Sequence, residues 1–394
     1  MMVMVAGLMA GIAGQAQAKP LKVYILAGQS NMQGWTSPET FDSLATDPKT
    51  APLLKEMRGA DGKPRVCEKV WISSIGCAGD DTTEQKGKLT VGFGANADRI
   101  GPEFTFGIYM EKLLNEPILL IKTSWGGKSL HTDFRSPGAG AYVWGDFEVQ
   151  ACKNRGSLEK DKADKIKATG VYYRLMLEHV GKVLGNIKRV VPDYDPGQGY
   201  EIAGFVWFQG FNDLVSDWTY PDNNKPGGYD LYSVLMAHFI RDVRKDLKVP
   251  KMPFVIGVMG LNGMTPPQNE AYFHQAQAAP ASLPEFKGNV AAVETAPFWD
   301  ADLDALLRRE TKFWPQMDAR AAESAKQHLK ISGQEAKDQV LLENGFTPEE
   351  VKRLRKGVSN LGFHYLGAAK IIAPIGKAFA EAMVDLQKTR QKQP

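Results

Sequence analysis

The sequence predicts an α/β fold in three layers, with helices covering both faces of a central parallel sheet of about five strands. Two observations lead to this prediction. Segments with the character of strands and of helices alternate along the chain. The strand segments are also near-continuous apolar runs, which is typical of parallel strands that are buried on both faces.

The five predicted strands are short runs rich in apolar, β-branched and aromatic residues. Turn-forming or polar residues follow each run, so that each strand has a defined end. The strands are residues 21–27, 117–123, 202–208, 254–259 and 289–294.

The predicted helices alternate with these strands and show apolar residues at helical spacing. They are residues 101–115, 172–187, 229–247 and 270–279, followed by a final helix that ends near residue 386. Pro374 lies within the final helix and is expected to kink it or to divide it in two.

Two insertions interrupt this pattern within a single domain of residues 19–390. Residues 36–100 are rich in turn formers and are predicted to be a loop with a hairpin, whose strands are residues 67–73 and 89–94. Residues 300–356 are charged and predict two or three helices. Residues 132–168 are read as a polar connection.

The N-terminus and the overall charge indicate where the protein acts and which partners it lacks. Residues 1–18 form an apolar run that ends in the small-x-small pattern of a signal-peptidase site, so we expect cleavage after Ala18 and a secreted or periplasmic protein. No later segment is long and apolar enough to span a membrane. The formal net charge of +3 gives no electrostatic reason to expect nucleic-acid binding.

The three cysteines leave two interpretations open. Cys67 and Cys77 are close enough in sequence to close a small loop as a disulfide, with Cys152 left over. Three isolated thiols are an equally good interpretation. The cysteines form no CxxC pattern and no cluster with histidine, so no zinc site is expected.

Chemically useful residues follow three of the predicted strands and precede the last helix. Ser30 follows the first strand, Gly126 and Gly127 follow the second, and Gly210-Phe211-Asn212-Asp213 follows the third. His364 stands just before the last helix. The carboxyl ends of parallel strands share one edge of the sheet, so we expect these residues to meet there. A serine hydroxyl near a histidine is the arrangement of a nucleophile and its base.

These segments resemble the sequence blocks of the SGNH (GDSL-like) hydrolases, and within them the sialate O-acetylesterase-like branch that includes carbohydrate esterase family six. The first block is matched by residues 28–34, the third by the G-x-N-D pattern of residues 210–213, and the last by His364. The W-x-Q-G version of the third block is also present, as residues 207–210. The resemblance implies a flavodoxin-like α/β/α fold and a serine esterase mechanism.

The resemblance also implies a role for each residue of the site. Ser30 is the expected nucleophile and His364 the expected base. The backbone N–H groups of Ser30 and Gly127 are expected to hold the oxyanion, together with a side-chain amide. Gln209 and Asn212 both fit that last role, and the sequence leaves the choice open.

One residue departs from the family pattern. The last block of the family reads D-x-x-H, and Leu361 occupies the aspartate position. Another group must therefore orient His364. A backbone carbonyl is one candidate, and the side chains of Glu294, Asp213 and Asn360 are the others.

The function expected from the resemblance is removal of acetyl groups from an acetylated carbohydrate through a Ser-His acyl-enzyme, without a metal or another cofactor. Gln29, Trp125 and His131 are the candidate substrate-binding residues. The alternatives are another SGNH esterase, lipase or thioesterase, or a carbohydrate-binding protein whose catalytic site has decayed.

Overall fold

The computed structural model describes residues 19–77, 79–326 and 332–391. The expected signal peptide lies outside the described residues. Among the helices described, none is long and apolar enough to cross a bilayer.

Seven strands form one sheet that contains all five predicted strands. The strands are β1 (Leu21–Gly28), β2 (Val70–Ile75), β3 (Gln85–Lys88), β4 (Ile118–Ser124), β5 (Tyr200–Phe208), β6 (Phe254–Val258) and β7 (Val290–Glu294). Their order is β3-β2-β4-β1-β5-β6-β7, and every neighbouring pair is parallel except β2 and β3. The strands β4-β1-β5-β6-β7 have the 2-1-3-4-5 order of flavodoxin-like folds, so the predicted fold class is confirmed.

The two extra strands come from the hairpin that was assigned to a loop insertion. β2 is fully buried and pairs in parallel with β4, which extends the main sheet by one strand. β3 then forms its antiparallel edge. The second strand of the hairpin was placed at residues 89–94, and this placement is wrong because that segment turns at Gly92, whose φ is +111°.

Fourteen α-helices connect the strands in the described part of the chain. They are α1 (Ser30–Gln33), α2 (Ala51–Met57), α3 (Pro102–Leu114), α4 (Asp146–Asn154), α5 (Leu158–Ala168), α6 (Val171–Gly185), α7 (Phe211–Leu214), α8 (Asp230–Asp246), α9 (Gln268–Ala278), α10 (Ala301–Thr311), α11 (Trp314–Lys326), α12 (Gly333–Glu343), α13 (Pro348–Gly357) and α14 (Ala369–Gln391). The helices α3 and α14 pack together on one face of the sheet, and α6, α8 and α9 lie on the other. The described residues of the 300–356 segment form four helices instead of two or three.

The expectation for residues 132–168 is wrong, and of the two outcomes expected at Pro374 the division of the helix is excluded. Residues 132–168 contain α4 and α5, which the sequence does not reveal because α5 buries no residue and so shows no apolar period. Pro374 does not divide the last helix, since α14 continues through it. The helix is held closely against α3, where a Cβ on Gly376 would lie 2.3 Å from the Pro102 carbonyl oxygen.

The cysteines are three separate thiols. Cys67, Cys77 and Cys152 are all free and buried. Burial raises the pKa of the Cys67 thiol to about 12, so this residue is protonated and unreactive at neutral pH.

Candidate active site

Ser30 lies where β1 ends and the chain turns sharply into α1. The turn requires glycine at position 28, because a Cβ there would lie 2.1 Å from the Phe208 carbonyl oxygen of the neighbouring strand. Ser30 is the first residue of α1 and is 8% exposed. The serine is thus presented at the carboxyl edge of the sheet, between the ends of β4 and β5.

A buried ion pair supports α1 from below. Lys122 and Glu103 are both fully buried, and the lysine Nζ lies 2.7 Å from the carboxylate. The same Nζ donates hydrogen bonds to the carbonyl oxygens of Gln33 at 2.7 Å and Phe93 at 2.6 Å. The end of the serine-bearing helix is therefore fixed by a charged hydrogen bond.

Of the two glycines after β4, Gly126 is the one that lies against Ser30. A Cβ on Gly126 would be 4.0 Å from the Ser30 Cβ, whereas a Cβ on Gly127 would have no atom within 4 Å. Neither amide N–H takes part in a hydrogen bond among the described residues. Both N–H groups are therefore available, and Gly126 is the nearer of the two glycines to Ser30.

Gln209 and Asn212, the two amides that compete for one role, have different surroundings. Gln209 is 1% exposed, and its Nε2 donates to Gln29 Oε1, the Lys128 carbonyl oxygen and Asp213 Oδ2 at 2.6–3.1 Å. Asn212 is half-buried, and its Oδ1 accepts a hydrogen bond of 3.0 Å from Gln29 Nε2. Its Nδ2 has no hydrogen bond among the described residues, so Asn212 retains a free donor and Gln209 does not.

Gln29 orients this loop from its buried position next to Ser30. Its Oε1 accepts hydrogen bonds from Gln209 Nε2 and from the backbone N–H groups of Gly210 at 3.1 Å and Asn212 at 3.3 Å. With its Nε2 bound to Asn212, both ends of the amide are used and the side chain is 1% exposed. Gln29 therefore positions Asn212.

Asp213 ties together the loops that follow β4 and β5. Its carboxylate accepts from the N–H groups of Leu130 at 2.7 Å and His131 at 3.1 Å, and from the Tyr220 hydroxyl at 2.8 Å. His131 is itself buried, and its Nδ1 is hydrogen-bonded to Thr132. Burial lowers the pKa of His131, which keeps its imidazole neutral.

His364 is held by the side chain of Asn360. The Asn360 Oδ1 accepts the backbone N–H of Leu361 at 2.8 Å and also lies 2.9 Å from His364 Nδ1. Because this oxygen is an acceptor, Nδ1 carries the proton and donates it, and Nε2 is left with a lone pair. This is the tautomer that a general base requires.

No carboxylate assists His364 among the described residues. Burial alone lowers the pKa of His364 to about 4. Asp213 hydrogen bonds to the groups named above, and Glu294 lies at the exposed end of β7 without a hydrogen bond to the histidine. Of the side chains considered for orienting His364, Asn360 is the one in contact with it.

The segment around His364 is fixed to the sheet and to the chain beyond α1. Tyr365 and Leu366 have left-handed backbone angles, with φ of +53° and +60°. The Tyr365 hydroxyl accepts from the N–H of Gly260 at 3.0 Å and is bound to Thr295 Oγ1 at 2.8 Å, which holds the unfavourable conformation in place. The imidazole of His364 stacks on Trp35, with ring centres 5.0 Å apart.

Ser30 and His364 are brought to the same edge without a direct hydrogen bond between them in the described residues. The segment of residues 362–367 contacts α1. Catalytic hydrogen bonds in free enzymes are often long and tighten when substrate binds. The structure therefore places the serine-bearing helix and the segment that carries His364 next to each other at this edge of the sheet.

Trp125 does not have the surface that its candidate role needs. It is 1% exposed, and its Nε1 donates to the Asp81 carbonyl oxygen at 2.9 Å. Its ring packs on Phe134 and Tyr172. With no face open to solvent, this indole belongs to the core.

A second serine and histidine lie in contact elsewhere in the protein, and their setting differs. Ser73 Oγ is 3.0 Å from His179 Nε2 and donates to Glu84 Oε1 at 2.6 Å. Ser73 is fully buried within β2. Since no substrate reaches this serine and its proton is given to a carboxylate, the pair is structural.

Comparisons with known proteins place this geometry in context. A family model described as carbohydrate esterase, sialic acid-specific acetylesterase, matches residues 20–303. This range includes Ser30, Gly126 and Asn212, and it ends before His364. A comparison with curated proteins gives no match.

Among solved structures, three with 13–15% identity are similar to this chain. A protein from Arabidopsis thaliana has 15% identity and a TM-score of 0.38, and the alignment covers 70% of this chain and 86% of that one. A carbohydrate acetylesterase from Xanthomonas citri has 13% identity and a TM-score of 0.40, and the alignment covers 71% of this chain and 51% of that one. NanS has 14% identity and a TM-score of 0.35, and the alignment covers 70% of this chain and 78% of that one.

Proposed function

Because the chain belongs to the carbohydrate esterase family of sialic acid-specific acetylesterases, we propose that it removes O-acetyl groups from a carbohydrate through Ser30 and His364. The observation that carries this proposal is the hydrogen bond between His364 Nδ1 and Asn360. It leaves Nε2 as a proton acceptor in a segment that packs against the serine-bearing helix. An amide thus takes the orienting role that an aspartate has in the family pattern.

The reaction begins when Ser30 Oγ attacks the acetyl carbonyl carbon and His364 Nε2 takes the hydroxyl proton. The carbonyl oxygen becomes an oxyanion, held by the N–H of Ser30, the N–H of Gly126 and the Nδ2 of Asn212. Gly126 replaces Gly127 in this scheme because it adjoins Ser30. Asn212 is preferred to Gln209, whose amide is already engaged.

The carbon–oxygen bond to the sugar then breaks, and His364 returns its proton to the sugar oxygen. Acetyl-Ser30 remains. Water attacks it with His364 again as the base, acetate leaves, and the serine is restored. The Asn360 amide keeps the imidazole in place through both steps, and it adds no negative charge to stabilise the imidazolium.

We also propose that residues 1–18 direct export and are removed after Ala18. The small-x-small pattern of residues 16–18 supports this. N-terminal sequencing of the mature protein from the culture medium or the periplasm tests it. A mature chain that retains residue 1 would rule the cleavage out.

The test of the proposed activity is acetate release from p-nitrophenyl acetate, acetylated xylan and O-acetylated sialic acid by the wild-type and variant proteins. Ser30→Ala and His364→Ala should each lower kcat at least about a thousandfold. Asn212→Ala should lower kcat about 100-fold or more with little change in KM, since its amide acts on the oxyanion.

The matched control is Ser73→Ala, which removes the other serine that contacts a histidine. We expect it to retain the wild-type kcat, because Ser73 is enclosed in β2. Loss of turnover in Ser73→Ala together with full activity in Ser30→Ala would overturn the assignment. Absence of turnover by the wild type on all three substrates would favour a binding protein.

A further inference from the structure

A cavity of about 490 Å³ opens between helices α4 and α5 and the loops that follow β4 and β5. Its volume is within the range of small-ligand sites. The residues that matter for its chemistry are Thr132, Trp144, Glu148, Arg155, Lys165 and Trp218. None of them takes part in the proposed catalytic steps.

Aromatic and apolar side chains are exposed around this cavity. Val143 is 79% exposed, Phe147 is 68% exposed and Trp218 is 41% exposed. The rings of Phe147 and Trp218 are in contact, with centres 5.3 Å apart and planes inclined by 35°. Clustered apolar groups that remain open to water beside a cavity mark a binding surface.

The charged side chains of the cavity are already paired. Lys165 Nζ lies 3.8 Å from Glu148, and Glu148 also accepts a hydrogen bond of 2.9 Å from the Tyr142 hydroxyl. Arg155 lies 3.3 Å from Asp161. Because each cation of the lining has an acidic partner, the cavity offers hydrogen-bonding groups and aromatic faces but no uncompensated positive charge for an acidic sugar.

The cavity is connected to the candidate active site through the same two loops that carry the proposed oxyanion donors. Thr132 follows His131, whose N–H binds Asp213, the neighbour of Asn212. The Tyr142 hydroxyl lies 3.3 Å from Thr219 Oγ1, which joins the cavity wall to the loop that bears Trp218. The cavity and Ser30 therefore lie beside the same edge of the sheet.

We propose that this cavity is a second carbohydrate subsite, which binds a neutral pyranose of the same chain that carries the acetyl ester. Rings such as those of Trp144 and Trp218 bind apolar faces while nearby polar groups fix orientation. This proposal rests on the proposed function and specifies its substrate class. The substrate is an acetylated oligosaccharide or polysaccharide of neutral sugars, longer than one residue.

The first test compares acetylated xylohexaose with acetylated xylose as substrates for Trp144→Ala and Trp218→Ala. Each variant should raise KM for the hexaose about tenfold, which corresponds to loss of one well-packed aromatic contact. The values of kcat/KM for acetylated xylose and for p-nitrophenyl acetate should stay within about twofold of wild type. The matched control is Trp314→Ala on α11, a tryptophan of similar exposure at 38%, which should leave all three substrates unaffected.

A binding measurement separates failure of this proposal from failure of the proposed function. Calorimetric titration of xylohexaose into full-length Ser30→Ala needs no turnover, and adding Trp218→Ala should weaken the binding about tenfold. Equal binding by the two proteins would overturn the subsite. Preferential binding of sialic acid over xylohexaose would also overturn the subsite. If sedimentation shows that the wild type is a dimer and that Trp218→Ala is a monomer, the exposed aromatic patch is an interface between copies and the subsite is again overturned.

Discussion

At the scale of single residues, the most informative contact is the one between His364 and Asn360. An aspartate in this role stabilises the imidazolium and raises the histidine pKa. Here the partner is a neutral amide, so no negative charge offsets the effect of burial, which lowers the pKa of His364 to about 4. The proposed base is therefore neutral, and able to accept a proton, over a wide range of pH.

The first prediction concerns the pH profile of acetate release. We expect kcat/KM of the wild type to fall only below about pH 4, and not near pH 6.5, because that profile follows ionisation of the free enzyme. Asn360→Asp places a negative charge beside Nδ1 and raises the pKa of His364. The fall in kcat/KM at acid pH (the acid limb of the profile) should therefore begin about one to three pH units higher. Asn344→Asp, an exposed asparagine on the surface, is the control and should leave the limb in place. An unmoved limb in Asn360→Asp would show that His364 is not the base.

The candidate residues could be named from the sequence, but their hydrogen-bond partners could not be predicted from it. Ser30, His364 and the two competing amides follow from the blocks and from the shared edge of the sheet. The distinction between Gln209 and Asn212 depends on which amide Gln29, Lys128 and Asp213 occupy, and these contacts join three separate segments. The same applies to Gly126, which is distinguished from Gly127 by packing against Ser30.

At the scale of elements, the strand ends bear the site and the helix packing keeps them in position. Lys122 on β4 and Glu103 on α3 lie fully buried beneath α1 and hold its carboxyl end. A buried charge without a partner is costly, so the removal of one member of such a pair has a larger effect than the pair's own net contribution.

The second prediction is that Lys122→Met lowers the free energy of unfolding by about 3–5 kcal/mol, measured by urea denaturation at neutral pH. The double variant Lys122→Met/Glu103→Gln should recover part of this loss, because no charge is then left in the core. Lys377→Met breaks the surface pair with Glu381 and should cost less than about 1 kcal/mol. Equal losses from the buried and the surface substitution would contradict the role given to the buried pair.

Elements were predictable where an apolar pattern exists and unpredictable where it does not. The five central strands are continuous apolar runs, and their positions are confirmed. The charged helix α5 has no fully buried residue and is supported by pairs such as Lys160 with Asp164, so its sequence resembles a loop. The edge strand β3 is a polar segment of four residues, which owes its conformation to β2.

At the scale of the whole molecule, buried histidines link folding to pH. Burial lowers the pKa values of His179, His274 and His364 to about 4. In the unfolded chain such groups titrate near 6.5. They belong to different parts of the fold, and His274 Nε2 has no hydrogen-bond partner among the described residues.

The third prediction follows from this difference in proton binding. Between about pH 6.5 and 4 the unfolded chain binds protons that the native histidines do not, so the stability these groups contribute above pH 6.5 is lost as the pH falls through this window. The urea midpoint should decrease steadily from pH 7 to 4. His274→Leu removes one titrating group from a site with no polar partner and should flatten the decrease, whereas Gln275→Leu on the same helix should not. A midpoint independent of pH would mean that the native histidines bind protons as they do in the unfolded chain, which would contradict the lowered pKa values.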